Sequence, residues 1–212
     1  MARRFDLPQT LALFPLSDVV LMPRARLPFQ IFEPRYLQMI EDSLRSPHRL
    51  IGLIQPQQGG LDDLAQIGSA GRIVGFSESD DGRYMITLRA ISRFRLTEVQ
   101  DGFTPYLQGD VDWSGFSRDT INDPEKDEGF NRPALLAQLR RYVDLHDLST
   151  DWDAAETVDD EMLINSLSML LPFEAEEKQA LLESGTLTAR RTLLEGLIEY
   201  DLRSGDNEEI IQ

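Results

Sequence analysis

His48 and His146 are the two histidines of a 212-residue chain that has no cysteine. A Ser-His-Asp triad, a histidine-rich metal centre and thiolate chemistry therefore have almost nothing to draw on. His48 follows a Ser-Pro turn and His146 ends an acidic helical stretch, and neither setting prepares a general base. The lysines, Lys126 and Lys178, are as sparse; Lys126 lies in a polar segment and Lys178 sits among glutamates on what reads as the polar face of a helix, so no Ser-Lys pair can be drawn. No G-x-x-x-x-G-K-[ST] phosphate loop is present. Gly68, Gly71 and Gly75 imitate the spacing of a dinucleotide loop but lead into a strand pattern, the wrong context for it. The acidic runs Asp159-Asp160-Glu161 and Glu174 to Glu177 lack the alternating oxygen ligands of a calcium loop and suit helix N-termini instead. The expectation is a protein without enzymatic activity, cofactor or metal.

Two kinds of binding chemistry remain. Arg72, Arg89, Arg93 and Arg95 concentrate positive charge on neighbouring strand patterns, where they form a small anion-binding patch or pair with Glu78, Glu98 or Glu33. The segment "FPLSDVVLMPRARLPFQIFEPRY" supplies Phe14, Val19, Leu21, Met22, Phe29, Ile31, Phe32 and Tyr36. Most of these belong to a core, since a β domain of this size needs its large side chains inside. A minority, exposed on irregular edges, would make a recognition surface for extended polypeptide.

Charge narrows the partners further. Residues 1–115 carry 12 Arg and Lys against 14 Asp and Glu, whereas 116–212 carry 9 against 23, so most of the formal charge of -16 sits in the second part. So acidic a surface repels phosphate backbones and disfavours nucleic acid. No apolar run reaches the length of a membrane span, Arg3-Arg4 is a weak export signal at best, and the expected setting is cytoplasmic, with no membrane partner.

The elements that position these residues change period part-way along. From Leu11 to Asp112, "LALFPL", "RLPFQIF", "RLIGLIQ", "GRIVGFSES", "RYMITLRA", "SRFRLTEV" and "PYLQGDV" read as short strands, with a tight turn at Asp80-Asp81-Gly82. One helix starts at Pro34, which suits a first turn, and places Tyr36, Leu37, Ile40 and Leu44 on one face. Pro15, Pro23 and Pro28 favour a curled, irregular barrel over a flat sheet. The polar stretch around 116–130 reads as a linker, and after it the pattern predicts four short amphipathic helices.

In order along the chain, the FPL near the start, "IFEPRY", "RLIGLI", "IGSAGRIV", "DGRYMITLRAISRFRLTE" and "PYLQGDV" resemble the N-terminal substrate-recognition domain of the Lon ATP-dependent proteases over residues 11–112. The helices that follow resemble that family more loosely. Ser69 stands where the family commonly has Cys in its G-C-A-G element. The resemblance implies an α+β fold: a PUA-like β pseudo-barrel with one helix at 1–115, a linker at 116–130, an α-helical bundle at 131–204 and a flexible acidic tail at 205–212. It implies a protein that stands alone, without the family's AAA+ and protease domains.

The function implied is recognition of unfolded or degron-bearing polypeptides, with a separate protease or ATPase as a further partner. Phe32, Glu33, Arg35 and Tyr36 are the candidate binding residues at the strand-to-helix junction, and Arg72, Arg93 and Arg95 those on the strands. Two alternatives stay open: RNA binding, as in other PUA-like domains, and a small molecule held between barrel and bundle.

Overall fold

The computed structural model describes residues 7–58, 60–100, 102–121 and 123–209. Arg3-Arg4 and the last three residues of the expected tail lie outside them. Up to residue 121 the chain runs as β1 (Thr10–Pro15), β2 (Arg26–Ile31), α1 (Pro34–Arg45), β3 (Leu50–Ile54), β4 (Pro56–Gln57), β5 (Gly60–Leu64), β6 (Ile67–Glu78), β7 (Tyr84–Gln100), β8 (Gln108–Asp112) and a 3-10 turn at Ser114–Thr120. Six strands form one sheet in the order β2-β7-β6-β3-β1-β8, and β8 pairs back onto β7, so that β7-β6-β3-β1-β8 closes on itself. β1 and β3 are parallel; the other pairings of this sheet are antiparallel.

β7 makes the closure possible. Its residues 84–89 pair with β2 and its residues 95–100 with β8, both on the edge that β6 leaves open. The two runs expected as separate strands, "RYMITLRA" and "SRFRLTEV", are one strand because the register shift beside Ile91 bends β7 without interrupting it. The predicted turn between β6 and β7 is present: Gly82 adopts φ 76°, and the Ser79 and Arg83 backbones bond across it at 2.9 Å.

Leu11, Leu13, Leu50, Ile54, Ala70 and Phe94 fill the barrel. Phe94 needs a bare backbone beside it: a Cβ on Gly68 would stand 2.5 Å from Phe94 Cζ and 2.6 Å from the Leu53 carbonyl oxygen. The "G-S-A-G" element is therefore a packing device, and its glycines lie within β6, a strand, as the sequence context indicated.

The helices that follow are α2 (Arg132–Leu145), α3 (Trp152–Thr157), α4 (Asp160–Leu170), α5 (Ala175–Glu183) and α6 (Leu187–Glu209). α3, too short to show a period, was not expected, and α6 continues through residues read as tail. Asp123–Pro172 and the residues from Glu183 onward form one compact unit, in which α6 packs on α2 and α4. Phe173–Leu182 belongs instead with the strands. This differs from the 131–204 bundle boundary, because Gln179 in α5 donates to the Ile67 carbonyl at 3.0 Å and Gln55 donates to the Ala175 carbonyl at 3.0 Å. Lys178 is likewise buried, not on a polar face; its Nζ donates to the Asp18 carbonyl at 3.0 Å, and desolvation depresses its pKa.

The acidic runs serve helix starts. Asp159 accepts from the Met162 amide at 2.9 Å and Glu177 from the Glu174 amide at 2.9 Å, whereas Glu161 instead accepts from the Glu125 amide at 3.0 Å in the segment before α2.

Candidate polypeptide-binding cleft

A strand cannot continue through Glu33-Pro34, and the helix begins there with Pro34 in its first turn. That junction fixes two candidate residues against each other. Arg35 bonds to Glu33 at 2.9 to 3.0 Å and lays its guanidinium over the Tyr36 ring, 4.5 Å from the centroid. The Tyr36 ring packs 4.7 Å from that of Phe14, which in turn meets Phe29 at 5.7 Å. Tyr36 is 6 % exposed and so mostly a core residue, and burial raises its hydroxyl pKa against the opposing pull of Arg35. Phe32 is the member of the opening segment that faces solvent, at 63 % exposure.

Arg35 and Tyr36 line a cleft of about 220 Å³ in the β unit, together with Pro15, Leu61, Pro105 and Leu107. Gly102 and Thr104 also line it, and Phe103 between them is fully exposed; Leu61 is 43 % exposed. The approach to β8 that forms this wall is held in place, since the Leu13 amide donates to the Leu107 carbonyl at 2.8 Å and Thr104 Oγ1 to the Tyr106 carbonyl at 2.8 Å. Gln100 and Tyr106 complete a lining that is about as polar as it is apolar, and Arg35 within it is paired with Glu33.

Tyr106 separates this cleft from a second one, of about 260 Å³, lined by Asp42, Ser43, Ser46 and His48. Its hydroxyl donates to Asp42 Oδ2 at 3.0 Å. Burial, and then that bond to a carboxylate, push its pKa up to about 12.

Only part of the expected arginine patch assembles: Arg72 and Arg89 stand opposite each other on β6 and β7, and Arg93 does not join them. Arg93 is buried, bonded through Nε and Nη2 to Asp119 and through Nη1 to the Leu182 carbonyl. Arg95 is exposed and donates to Gln66 at 3.1 Å, while Arg72 lies half-buried opposite Arg89. Neither Arg93 nor Arg95 takes Glu78, Glu98 or Glu33 as its ion-pair partner; Asp119, from the segment read as linker, does that for Arg93. Leu61 and Phe103 were missed in the sequence. Two leucines flanking Asp62-Asp63 in a short strand and a phenylalanine between turn residues carry no periodic signal.

Residues 10–199 match the family described as the ATP-dependent protease La (LON) substrate-binding domain. The chain belongs to that family. Lon protease 2 of Myxococcus xanthus is 28% identical over 202 residues, covering 89% of this chain and 23% of that protein. The Lon protease of Desulfosudis oleivorans is 30% identical over 190 residues, covering 84% of this chain and 22% of that protein. The LON substrate-binding chain thus spans less than a quarter of the length of these curated relatives. The crystal structure of a Lon N-terminal domain protein from Xanthomonas campestris superposes with a TM-score of 0.60 at 27% identity, covering 90% of this chain and 98% of that one. The α+β fold expected from the strand and helix patterns is the fold of that domain.

Proposed function

We propose that this LON substrate-binding domain is a non-enzymatic module that recognises unfolded or degron-bearing polypeptides and hands them to a separate protease or ATPase. The observation that supports this most directly is the cleft lined by Arg35, Tyr36 and Leu61, with the exposed Phe103 between two of its lining residues, in a domain whose family is described by substrate binding. Exposed large apolar side chains beside a concavity suit a binding surface. The neutralised Arg35 suits the cleft to apolar segments more than to charged ones.

The test is fluorescence anisotropy with labelled, unstructured peptides rich in aliphatic and aromatic residues, without ATP. Saturable binding near micromolar levels is expected, with no turnover of the peptide. Absence of binding across a panel of such peptides defeats the reading.

A further inference from the structure

Closing the barrel leaves β2 as the open edge of the six-stranded sheet. The Ala90 amide donates to the Ala25 carbonyl, so Ala25 and Ala90 are a hydrogen-bonded pair, and the register then makes Arg26–Arg89, Pro28–Thr87 and Gln30–Met85 the alternate, non-bonded pairs. The backbone groups of Arg26, Pro28 and Gln30 therefore point away from β7, along the open edge. Pro28 lacks an N–H there, as a proline on an edge must. The N–H and C=O of Arg26 and Gln30 have no partner among the described residues.

The same register aligns three cations. Arg26 stands directly opposite Arg89, and Arg89 directly opposite Arg72, on three successive strands. Arg26 and Arg89 are exposed and form no ion pair among the described residues. Like charges facing each other across strands are destabilising. Guarding an edge calls for a charge on β2 alone, which leaves Arg89 on the interior strand unexplained. At the other end of the edge the exposed side chains are apolar: Met85 opposite Gln30, and Phe32 just beyond the strand.

We propose that the edge of β2 takes up an extended polypeptide segment as an added strand. A carboxylate side chain of that segment extends the Arg26–Arg89 row, and an apolar side chain further along meets Met85 and Phe32. Charge complementarity identifies the occupant: in a chain of net charge -16, this row is a local cation site that an acidic residue neutralises. The inference rests on the polypeptide-recognition reading and adds to it a second surface and a class of segment.

The experiment uses the full chain and a short labelled extended peptide bearing one Glu and one Phe, beside a Glu→Lys counterpart and a version N-methylated on alternate amides. The Glu peptide should bind at least roughly fivefold tighter than the Lys peptide, the scale of one exposed ion pair. An Arg26→Glu, Arg89→Glu variant, checked for native circular dichroism, should reverse that order, and N-methylation should abolish binding. If apolar peptides bind but Glu, Lys and the double variant make no difference, the inference fails and the cleft reading stands. If no peptide binds at all, the recognition reading fails and the inference with it. A dimer that the double variant dissolves, without any Glu preference, assigns the edge to a second copy and overturns the proposal.

Discussion

Arg93 and Asp119 form a two-point ion pair with 6 % and 3 % of their side chains exposed, Nε donating to Oδ2 at 2.9 Å and Nη2 to Oδ1 at 3.0 Å. The Arg93 backbone N–H also donates to Oδ2 at 2.9 Å, so one carboxylate fixes both the strand and its side chain. The guanidinium lies 4.9 Å from the Phe116 ring, which ties the 3-10 turn to β7 a second time. Removing one member of a buried pair leaves the other charged and desolvated. Asp119→Ala should therefore cost about 3–5 kcal/mol in chemical denaturation. A loss below about 1 kcal/mol, the scale of an exposed pair, would show that water reaches Arg93.

That pair also marks where sequence reasoning stopped. Strand patterns, the turn at Gly82 and the helix start at Pro34 were legible because each depends on neighbours in the chain. Asp119 falls in a polar stretch that reads as a linker, since nothing in "SRDTIND" tells a solvated aspartate from one that reaches β7. Arg72, Arg89, Arg93 and Arg95 read as a cluster because they fall on neighbouring strand patterns. The row that does form, Arg26–Arg89–Arg72, depends on β2 pairing with β7, a register that no local pattern announces. Phe32 and Tyr36, four residues apart, were grouped together, yet the strand end exposes one and the first helical turn buries the other.

Tyr106 gives a pH signature. Its folded pKa is raised to about 12, chiefly by burial and then by the bond to Asp42, against an ordinary value of 10.0. A raised folded pKa contributes stability that is fully present below the unfolded pKa and is lost as pH rises through the folded one. Stability should therefore fall between pH 10 and about 12. Ultraviolet titration of phenolate absorbance should show a late-ionising tyrosine that Tyr106→Phe removes. A curve unchanged by the substitution would place the hydroxyl in water.

Gly68→Ala tests the barrel interior. The added methyl would stand 2.5 Å from Phe94 Cζ and 2.6 Å from the Leu53 carbonyl oxygen, and the backbone oxygen cannot swing aside as a side chain can. Overpacking of this kind costs about 1–3 kcal/mol. Pairing Gly68→Ala with Phe94→Leu should recover only part of the loss, because the clash with Leu53 remains. Full recovery in thermal melts would assign the whole strain to the ring.

The cleft can be tested without harming the fold, provided the residue is chosen by exposure. Tyr36→Ala removes a buried ring packed at a tilt against Phe14 and should cost about 3–5 kcal/mol, so a loss of peptide binding in that variant would report unfolding. Leu61→Ser and Phe103→Ser alter side chains that already face solvent, and should shift stability by no more than about 0.5 kcal/mol. If apolar segments lie in the cleft, these two variants should weaken apolar peptides by about 1 kcal/mol or more each, roughly fivefold in anisotropy titrations. The Glu preference attributed to Arg26 and Arg89 should be untouched, because neither rim residue lies on β2 or β7. Equal binding by wild type and both variants would remove the cleft from recognition and leave the β2 edge as the surface to pursue.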